Sequence, residues 1–187
     1  MRNHPLELFR YCPQCGSGDF RPHDPRSKRC AACGFTYYHN AAAATVAVVA
    51  SDQGELLCVR RAREPARGTL DLPGGFVDPG EGITDGLRRE VREELGAEVA
   101  FSEYLFSLPN VYRFSGFDVD TADAFFHVRL TDPQAIRAHD DAAEVLWIPF
   151  PALRPADFGL LSVRRGVERL KAEGFFETWK KPFDDHN

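Results

Sequence analysis

Runs of apolar residues, often alternating with polar ones, predict five β-strands in the middle of the chain. The runs are rich in β-branched and aromatic side chains, which favour extended structure. The predicted strands are Thr45–Ala50, Leu56–Arg61, Glu98–Ser107, Ala122–Leu130 and Glu144–Ile148. Asp52-Gln53-Gly54 is a turn sequence between the first two runs, so these two strands are expected to form a hairpin.

Two segments have helical periodicity instead. Apolar residues recur at every fourth position over Ile83–Leu95, which predicts an amphipathic helix, and Gly96 follows where a helix commonly ends. A second helix is predicted over Ser162–Ala172, with three apolar residues on its inward face. Strands on both sides of one central helix indicate a mixed α/β sandwich.

Composition and charge indicate a globular protein that is not a general nucleic-acid binder. The 187 residues are 43% hydrophobic and 27% charged, which suits one ordinary domain with a small appendage, and the formal net charge is -5. A general nucleic-acid binder normally carries a basic surface. The first ten residues contain no apolar stretch of the kind a secretory signal has. The longest apolar run, Ala41–Ala50, is interrupted by Thr45 and is about half of a membrane span. A cytoplasmic location without membrane contact is therefore expected.

Four of the five cysteines have the spacing of zinc ligands. Two residues separate Cys12 from Cys15, and two separate Cys30 from Cys33. In a reducing compartment, paired C-x2-C sequences are typical of a four-cysteine Zn²⁺ site rather than of disulfides. Four thiolates leave no open coordination position, so the predicted Zn²⁺ is structural. Residues 1–38 are predicted to form a zinc ribbon.

Three glutamates share one face of the first predicted helix. Glu90, Glu93 and Glu94 have the spacing i, i+3, i+4, and such close like charges destabilise a bare helix. A hard divalent cation offsets this repulsion, because Mg²⁺ takes carboxylate oxygens together with phosphate oxygens. The alternative is a solvated acidic face balanced by the arginines nearby. A glycine-dense loop, Leu72–Gly82, leads into the helix and favours the cation site, since glycine lets backbone approach a ligand closely.

This loop and helix together resemble the signature of the Nudix hydrolases. The family pattern is G-x5-E-x7-R-E-U-x-E-E-x-G-U, where U is aliphatic, and here it starts at Gly75, passes through Glu81 and ends with REVREELGA at Ala97. Ala97 is smaller than the usual final residue, and every other fixed position matches. The resemblance implies a Nudix α/β/α sandwich with a mixed sheet, which assigns residues 39–187 to a Nudix hydrolase domain.

The resemblance also implies roles for individual residues. Glu90, Glu93 and Glu94 would bind Mg²⁺ or Mn²⁺ together with the carbonyl of Gly75. Arg89 would orient Glu93, and Glu81 would support the junction between loop and helix. The general base would be a motif glutamate or an acidic residue from a later loop; the candidates there are Glu144, Asp140 and Asp141, for each of which a solvated acidic loop is the alternative.

A ribbon followed by a Nudix domain resembles two groups within the family. One is the NADH pyrophosphatases, and the other is a set of bacterial Nudix proteins with an N-terminal ribbon and no fixed substrate. NADH pyrophosphatases carry an S-Q-P-W-P-F-P-x-S array after the box, whereas the corresponding stretch here reads EYLFSLPNVY from Glu103 to Tyr112. This departure leaves NADH specificity unassigned.

The substrate is expected to be a nucleotide derivative. Tyr112 and Phe125 belong to an aromatic cluster that can stack on a purine or, alternatively, form core, and Arg61 belongs to a set of arginines that can grip phosphates or lie in a solvated loop. The leading expectation is Mg²⁺-dependent hydrolysis of a diphosphate linkage in a nucleoside diphosphate derivative, such as ADP-ribose or an NAD(H)-like dinucleotide. One alternative is clean-up of non-standard or oxidised nucleoside triphosphates. Another is a nucleotide-sensing regulator, against which the intact box and negative charge argue. By resemblance, a homodimer is expected.

Overall fold

The computed structural model describes residues 5–133, 136 and 142–175, without the side chains of residues 142 and 143. The chain divides into two compact units. The first comprises the residues up to Ala42 together with Val111–Thr121, and the second comprises Ala43–Asn110 and the residues from Ala122 onward.

The first unit is built around a small antiparallel sheet. Its elements are α1 (Pro5–Leu8), β1 (Phe20–Asp24), β2 (Ser27–Cys30) and β3 (Thr36–Tyr38), with the strands in the order β1-β2-β3. Three buried side chains, Cys12, Phe20 and Cys30, form its core. Such a small core supplies little hydrophobic stabilisation, so a unit of this size commonly depends on a metal or on disulfides.

The second unit contains two further three-stranded sheets and two long helices. Its elements are β4 (Ala42–Val49), β5 (Glu55–Arg61), β6 (Leu70–Asp71), α2 (Ile83–Leu95), β7 (Val99–Phe114), β8 (Phe117–Leu130), β9 (Ala142–Pro149) and α3 (Leu161–Ala172). The sheet orders are β4-β8-β7 and β6-β5-β9. The ends of β7 and β8 that flank the Ser115-Gly116 turn belong to the first unit, because that unit includes Val111–Thr121.

Both faces of the strands are covered, which explains their nearly continuous apolar runs. In β4, Val46 and Val48 join a core cluster that contains the apolar face of α3. Ala47 and Val49 point the other way, into a cluster that contains the apolar face of α2. The expectation of an α/β sandwich with a helix on each side is confirmed.

The predicted helices agree with the structure. The first spans Ile83–Leu95, as expected, and ends at Gly96 in the left-handed conformation. The second begins at Leu161, one residue before the predicted start. Among the described residues, no helix is long and apolar enough to cross a membrane.

The predicted hairpin between the first two strands is wrong beyond its turn. Ser51 and Glu55 are hydrogen-bonded across the turn, and a single antiparallel bridge joins Ala50 to Leu56. From there β4 and β5 enter different sheets. The turn sequence therefore fixed the reversal of the chain and not the pairing of the strands.

Candidate active site

The glycine-dense loop is held against β4 by backbone hydrogen bonds. The amide of Thr45 donates to the carbonyl of Gly75 at 2.8 Å, and the amide of Ala47 donates to the carbonyl of Pro73 at 2.7 Å. The antiparallel pairing continues past these hydrogen bonds, because Ala44 and Phe76 form a bridge. The loop is therefore fixed like an added strand, which determines where its carbonyls and amides point.

Two consecutive glycines are required by the close approaches in this loop. Gly74 has a φ of +142°, and a side chain there would overlap the carbonyl oxygen of Thr45. At Gly75 a Cβ atom would lie 2.5 to 2.7 Å from the carboxyl atoms of Glu90. The backbone at Gly75 therefore approaches the Glu90 carboxylate so closely that only glycine fits at this position.

Arg89 connects the loop to the carboxylates of α2. Its guanidinium donates to both oxygens of Glu81 at 2.9 and 3.1 Å, to Glu90 at 2.9 Å and to Glu93 at 2.9 Å. It also donates to the carbonyl of Phe76 at 2.8 Å. These carboxylates raise the pKa of Arg89, and the hydrogen bonds from Arg89 lower the pKa of Glu81. One cationic side chain therefore orients three acidic ones, and Glu93 is among them, as the sequence indicated.

The three helix glutamates differ in their surroundings. The Glu90 side chain is 16% exposed, and burial raises its pKa even though Arg89 opposes the shift. The Glu93 side chain is 48% exposed. Glu94 is half-buried and accepts a hydrogen bond from the amide of Gly74 at 3.1 Å. The helix thus offers one solvent-facing carboxylate and two that are partly enclosed beside the glycine loop.

These oxygens form a donor set that suits a hard cation. Carboxylate and backbone carbonyl oxygens are the ligands that Mg²⁺ and Mn²⁺ take in proteins. The Gly75 carbonyl accepts one hydrogen bond from Thr45 and keeps a second lone pair for another partner. Within the described ranges, the glutamate oxygens do not converge into a compact cluster like the one that the cysteine sulfurs form.

The four cysteines lie around one point in the first unit. Their sulfur atoms are all within 4.8 Å of one another, and the Cys12–Cys33 and Cys15–Cys30 pairs are each 3.7 Å apart. Four sulfurs bound tetrahedrally to Zn²⁺, each at about 2.3 Å, would lie about 3.8 Å apart. The cluster therefore suits a zinc ion.

The backbone around the cysteine cluster repeats the same turn twice. Gly16 donates its amide to the carbonyl of Cys12 at 2.8 Å, and Gly34 donates to the carbonyl of Cys30 at 3.0 Å. Both glycines have positive φ, +74° and +77°, which explains the glycine after each C-x2-C pair. The two turns bring their cysteine pairs together as matching halves of one site.

The structure does not bring Glu144 together with the helix glutamates. Its carboxylate accepts a hydrogen bond from Arg60 at 3.0 Å, its register partner on β5. Leu146, two residues on, packs against the cluster that contains α3, so alternation places Glu144 on that face of the sheet and not on the α2 face. The other candidates, Asp140 and Asp141, lie outside the described residues.

The predicted substrate-binding residues have other contacts. Phe125 is fully buried, stacks on Phe106 with ring centroids 4.9 Å apart and lies against Gly166 of α3. This ring is therefore part of the core and is not available to stack on a base. Arg61 donates to Asp71 at 2.5 Å and to the carbonyl of Pro65 at 2.7 Å, so its charge is balanced inside the second unit. Tyr112 belongs to the first unit, where its ring lies 6.5 Å from that of Phe114.

Sequence reasoning missed two buried polar residues of the second unit. Asp71 is 6% exposed, and burial raises its pKa while Arg61 opposes the shift. Thr45 is 1% exposed and lies directly opposite Gly75. In the sequence, each of these two residues is a polar residue inside an otherwise apolar run. For Thr45 this interruption argues against a membrane span, but by itself it does not indicate a functional role.

The chain is similar to known proteins in both sequence and fold. The NUDIX domain model matches residues 39–166. The NAD-capped RNA hydrolase NudC of Pseudomonas aeruginosa is 27% identical over 160 residues, which cover 86% of this chain and 53% of that protein. The human 8-oxo-dGDP phosphatase NUDT18 is 33% identical over 113 residues, covering 51% of this chain and 35% of that protein.

A solved structure agrees with the fold. The NUDIX hydrolase from Nitrosomonas europaea superimposes with a TM-score of 0.67 at 23% identity, covering 88% of this chain and 92% of that one. The chain spans just over half of the length of the Pseudomonas aeruginosa relative and about a third of the length of the human relative.

Proposed function

The chain belongs to the NUDIX domain family, and from this we propose that it hydrolyses a diphosphate linkage in a nucleotide derivative with the help of a divalent cation. The observation that carries the proposal is the contact of Arg89 with Glu81, Glu90 and Glu93 beside the glycine loop. This contact brings four charged residues of the family signature together.

We propose that Glu90, Glu93 and Glu94 hold Mg²⁺ or Mn²⁺ together with the carbonyl of Gly75. A divalent cation in such a site neutralises phosphate charge and lowers the pKa of bound water. Arg89 acts on the carboxylates, because its fixed planar fork binds several oxygens in defined directions. Glu81 acts on Arg89 by occupying two of its donors, which leaves the other donors aimed at the helix.

Glu93 is the motif residue best placed to accept a proton from the attacking water. It is the solvent-facing member of the trio, and Arg89 fixes one of its oxygens. Glu144 as general base stays a prediction, and its contact with Arg60 on the opposite face of the sheet argues against it.

The proposed substrate class is a nucleoside diphosphate joined to a second group, such as ADP-ribose or an NAD(H)-like dinucleotide. The similarity to proteins named NAD-capped RNA hydrolase supports a dinucleotide with an internal diphosphate. Hydrolysis of oxidised nucleotides is the second candidate, because the human relative is named an 8-oxo-dGDP phosphatase. Both reactions use the same cation site and differ in the products released.

We propose that residues 1–38 form a ribbon with a structural Zn²⁺ and that residues 39–187 form the hydrolase domain. The start of the family match at residue 39 supports this boundary. A cytoplasmic location stays a prediction from the sequence, and a homodimer stays a prediction from the resemblance.

The test is a Mg²⁺-dependent screen of ADP-ribose, NAD(H) and 8-oxo-dGDP with identification of the products. We expect AMP from the first two substrates if the leading proposal is right. Glu93→Gln should lower kcat by at least about a hundredfold with the fold retained, since it removes a charged group from the reacting site. Glu168→Gln, on the exposed face of α3, is the matched control and should leave kcat unchanged.

Two results would contradict the proposal. Undiminished Mg²⁺-dependent turnover in Glu93→Gln would remove this residue from the site. Turnover of 8-oxo-dGDP to 8-oxo-dGMP, without cleavage of ADP-ribose or NAD(H), would favour the second candidate.

A further inference from the structure

Thr45 is a buried side chain whose hydroxyl has no hydrogen-bond partner among the residues that the structure describes. The residue is 1% exposed and lies in the middle of β4. A buried hydroxyl normally has a partner, because leaving it unsatisfied forfeits the hydrogen bonds that it makes with water. Valine has the same shape without the polar atom, so packing alone does not account for threonine here.

The backbone register places this hydroxyl beside the glutamate site. Thr45 and Gly75 are opposite each other, as the hydrogen bond between them and the neighbouring Ala44–Phe76 bridge show. Residues opposite each other in an antiparallel pair have side chains on the same face, with Cβ atoms about 5 Å apart. A Cβ atom on Gly75 would point at the Glu90 carboxylate, 2.5 to 2.7 Å away, so the Thr45 side chain lies on that same side.

The alternation of β4 gives the same direction independently. Ala47 and Val49, which share a face with Thr45, pack into the cluster formed by α2. The helix that carries Glu90 and Glu94 is therefore the helix that the Thr45 side chain faces. The loop that covers this edge of β4 also donates the Gly74 amide to Glu94.

We propose that the Thr45 hydroxyl is a positioning group of the acidic site and hydrogen-bonds a water molecule bound to the divalent cation there. This inference rests on the proposed function. Mg²⁺ and Mn²⁺ sites in proteins commonly keep several water ligands, which need acceptors or donors from the protein. A hydroxyl can fill either role, and the groups that orient a metal's ligands change its affinity by about ten- to a hundredfold.

The test is the binding of Mn²⁺ alone to the whole 187-residue chain, purified with zinc supplied and measured by electron paramagnetic resonance or calorimetry. Thr45→Val removes the hydroxyl and keeps the volume. We expect it to weaken Mn²⁺ binding by about tenfold, while its Tm without Mn²⁺ is equal to or higher than that of the wild type, because an unsatisfied buried oxygen is gone. Thr45→Ser should restore most of the affinity.

Two controls separate this inference from the proposed function. Glu90→Gln should abolish Mn²⁺ binding if the acidic site is real, and Thr121→Val, at another buried threonine of the sheet, should leave binding unchanged. If wild type binds Mn²⁺ and Glu90→Gln does not, but Thr45→Val binds like wild type, the inference about Thr45 is overturned and the proposed function stands. If the wild type fails to bind Mn²⁺, the proposed function falls, and this inference with it.

Should Thr45→Val fail to fold, Thr45→Ala removes the same hydroxyl with less demand on packing. Its Mn²⁺ affinity is then compared with that of Thr45→Ser. Equal affinities in these two variants would overturn the inference, and a lower affinity for alanine supports it.

Discussion

At the scale of single residues, chemistry and burial are only partly visible in the sequence. Glu90, Glu93 and Glu94 are predicted to bind a divalent cation because a helix brings side chains with this spacing to one face. For Phe125 the sequence leaves both stacking on a purine and core packing open, because an aromatic side chain in a strand has no spacing that distinguishes the two. Its actual neighbours, Phe106 and Gly166, are distant in sequence and come together only through the fold.

His127 gives a prediction at this scale. It is 3% exposed, between the rings of Phe101 and Phe175, and burial lowers its pKa to about 4, with the charge of Arg129 acting in the same direction. The pKa of a histidine in an unfolded chain is about 6.5. Because the pKa of His127 is lower in the folded protein, folding favours the neutral ring. The contribution to stability is fully present above about pH 6.5 and is lost as the pH falls toward 4.

We expect the free energy of unfolding to drop by on the order of 1–2 kcal/mol between pH 7 and pH 5 because of this residue. Urea titrations of wild type and His127→Gln at the two pH values measure it. The variant should be less stable at pH 7 but should change less with pH. His23→Gln, at an exposed position of β1, is the control and should follow the wild type. Identical pH dependence in His127→Gln and wild type would sink the prediction.

At the scale of elements, local periodicity predicted what each segment forms and not what it pairs with. The helix bounds Ile83–Leu95 were recovered because the apolar spacing and the terminal glycine agree. The predicted pairing of β4 with β5 is wrong. Both strands are apolar on both faces, so neither pattern specifies a partner. Strands β7 and β8 extend to Phe114 and Phe117, beyond the predicted limits. The added residues include the buried polar side chains of Asn110, Asp118 and Thr121, which interrupt an apolar pattern.

The junction of loop and helix gives a prediction at the scale of elements. In Gly75→Ala the added methyl group would meet the Glu90 carboxylate at 2.5 to 2.7 Å, and the flexible end of Glu90 would move away. We expect the urea midpoint to stay close to that of wild type, while turnover and Mn²⁺ affinity fall by at least about tenfold, because a ligand is displaced. Steady-state kinetics and Mn²⁺ titration measure both effects.

Gly80→Ala is the matched control in the same loop. A methyl group there has open space, but Gly80 has a φ of +94°, so the cost is backbone strain on the order of 1–3 kcal/mol. We expect this variant to lose stability and keep its Mn²⁺ affinity. A Gly75→Ala protein that loses stability but binds Mn²⁺ normally would show that the glycine serves the fold and not the site.

At the scale of the whole molecule, two units rest on different sources of stability. The second unit buries two extensive apolar clusters, one under each long helix. Among the described residues of the first unit, the core cluster has three buried side chains, Cys12, Phe20 and Cys30. The cysteine spacing predicts a ribbon over residues 1–38, but the sequence does not assign Val111–Thr121 to the same unit, because nothing local to that segment links it to residues so far away along the chain.

The proposed structural Zn²⁺ of the first unit gives the last prediction. Because the binding energy of a structural Zn²⁺ is also folding energy, we expect about one zinc per chain in the wild type and none in Cys15→Ser or Cys33→Ser. Hydrogen exchange should then speed up in β1–β3 of the serine variants, while α2 stays protected by its own core cluster. Cys58→Ala, which changes a buried cysteine of β5 far from the cluster in sequence, should keep its zinc. Elemental analysis that finds no zinc in the freshly purified wild type, or a full equivalent in Cys15→Ser, would remove the ion from this unit.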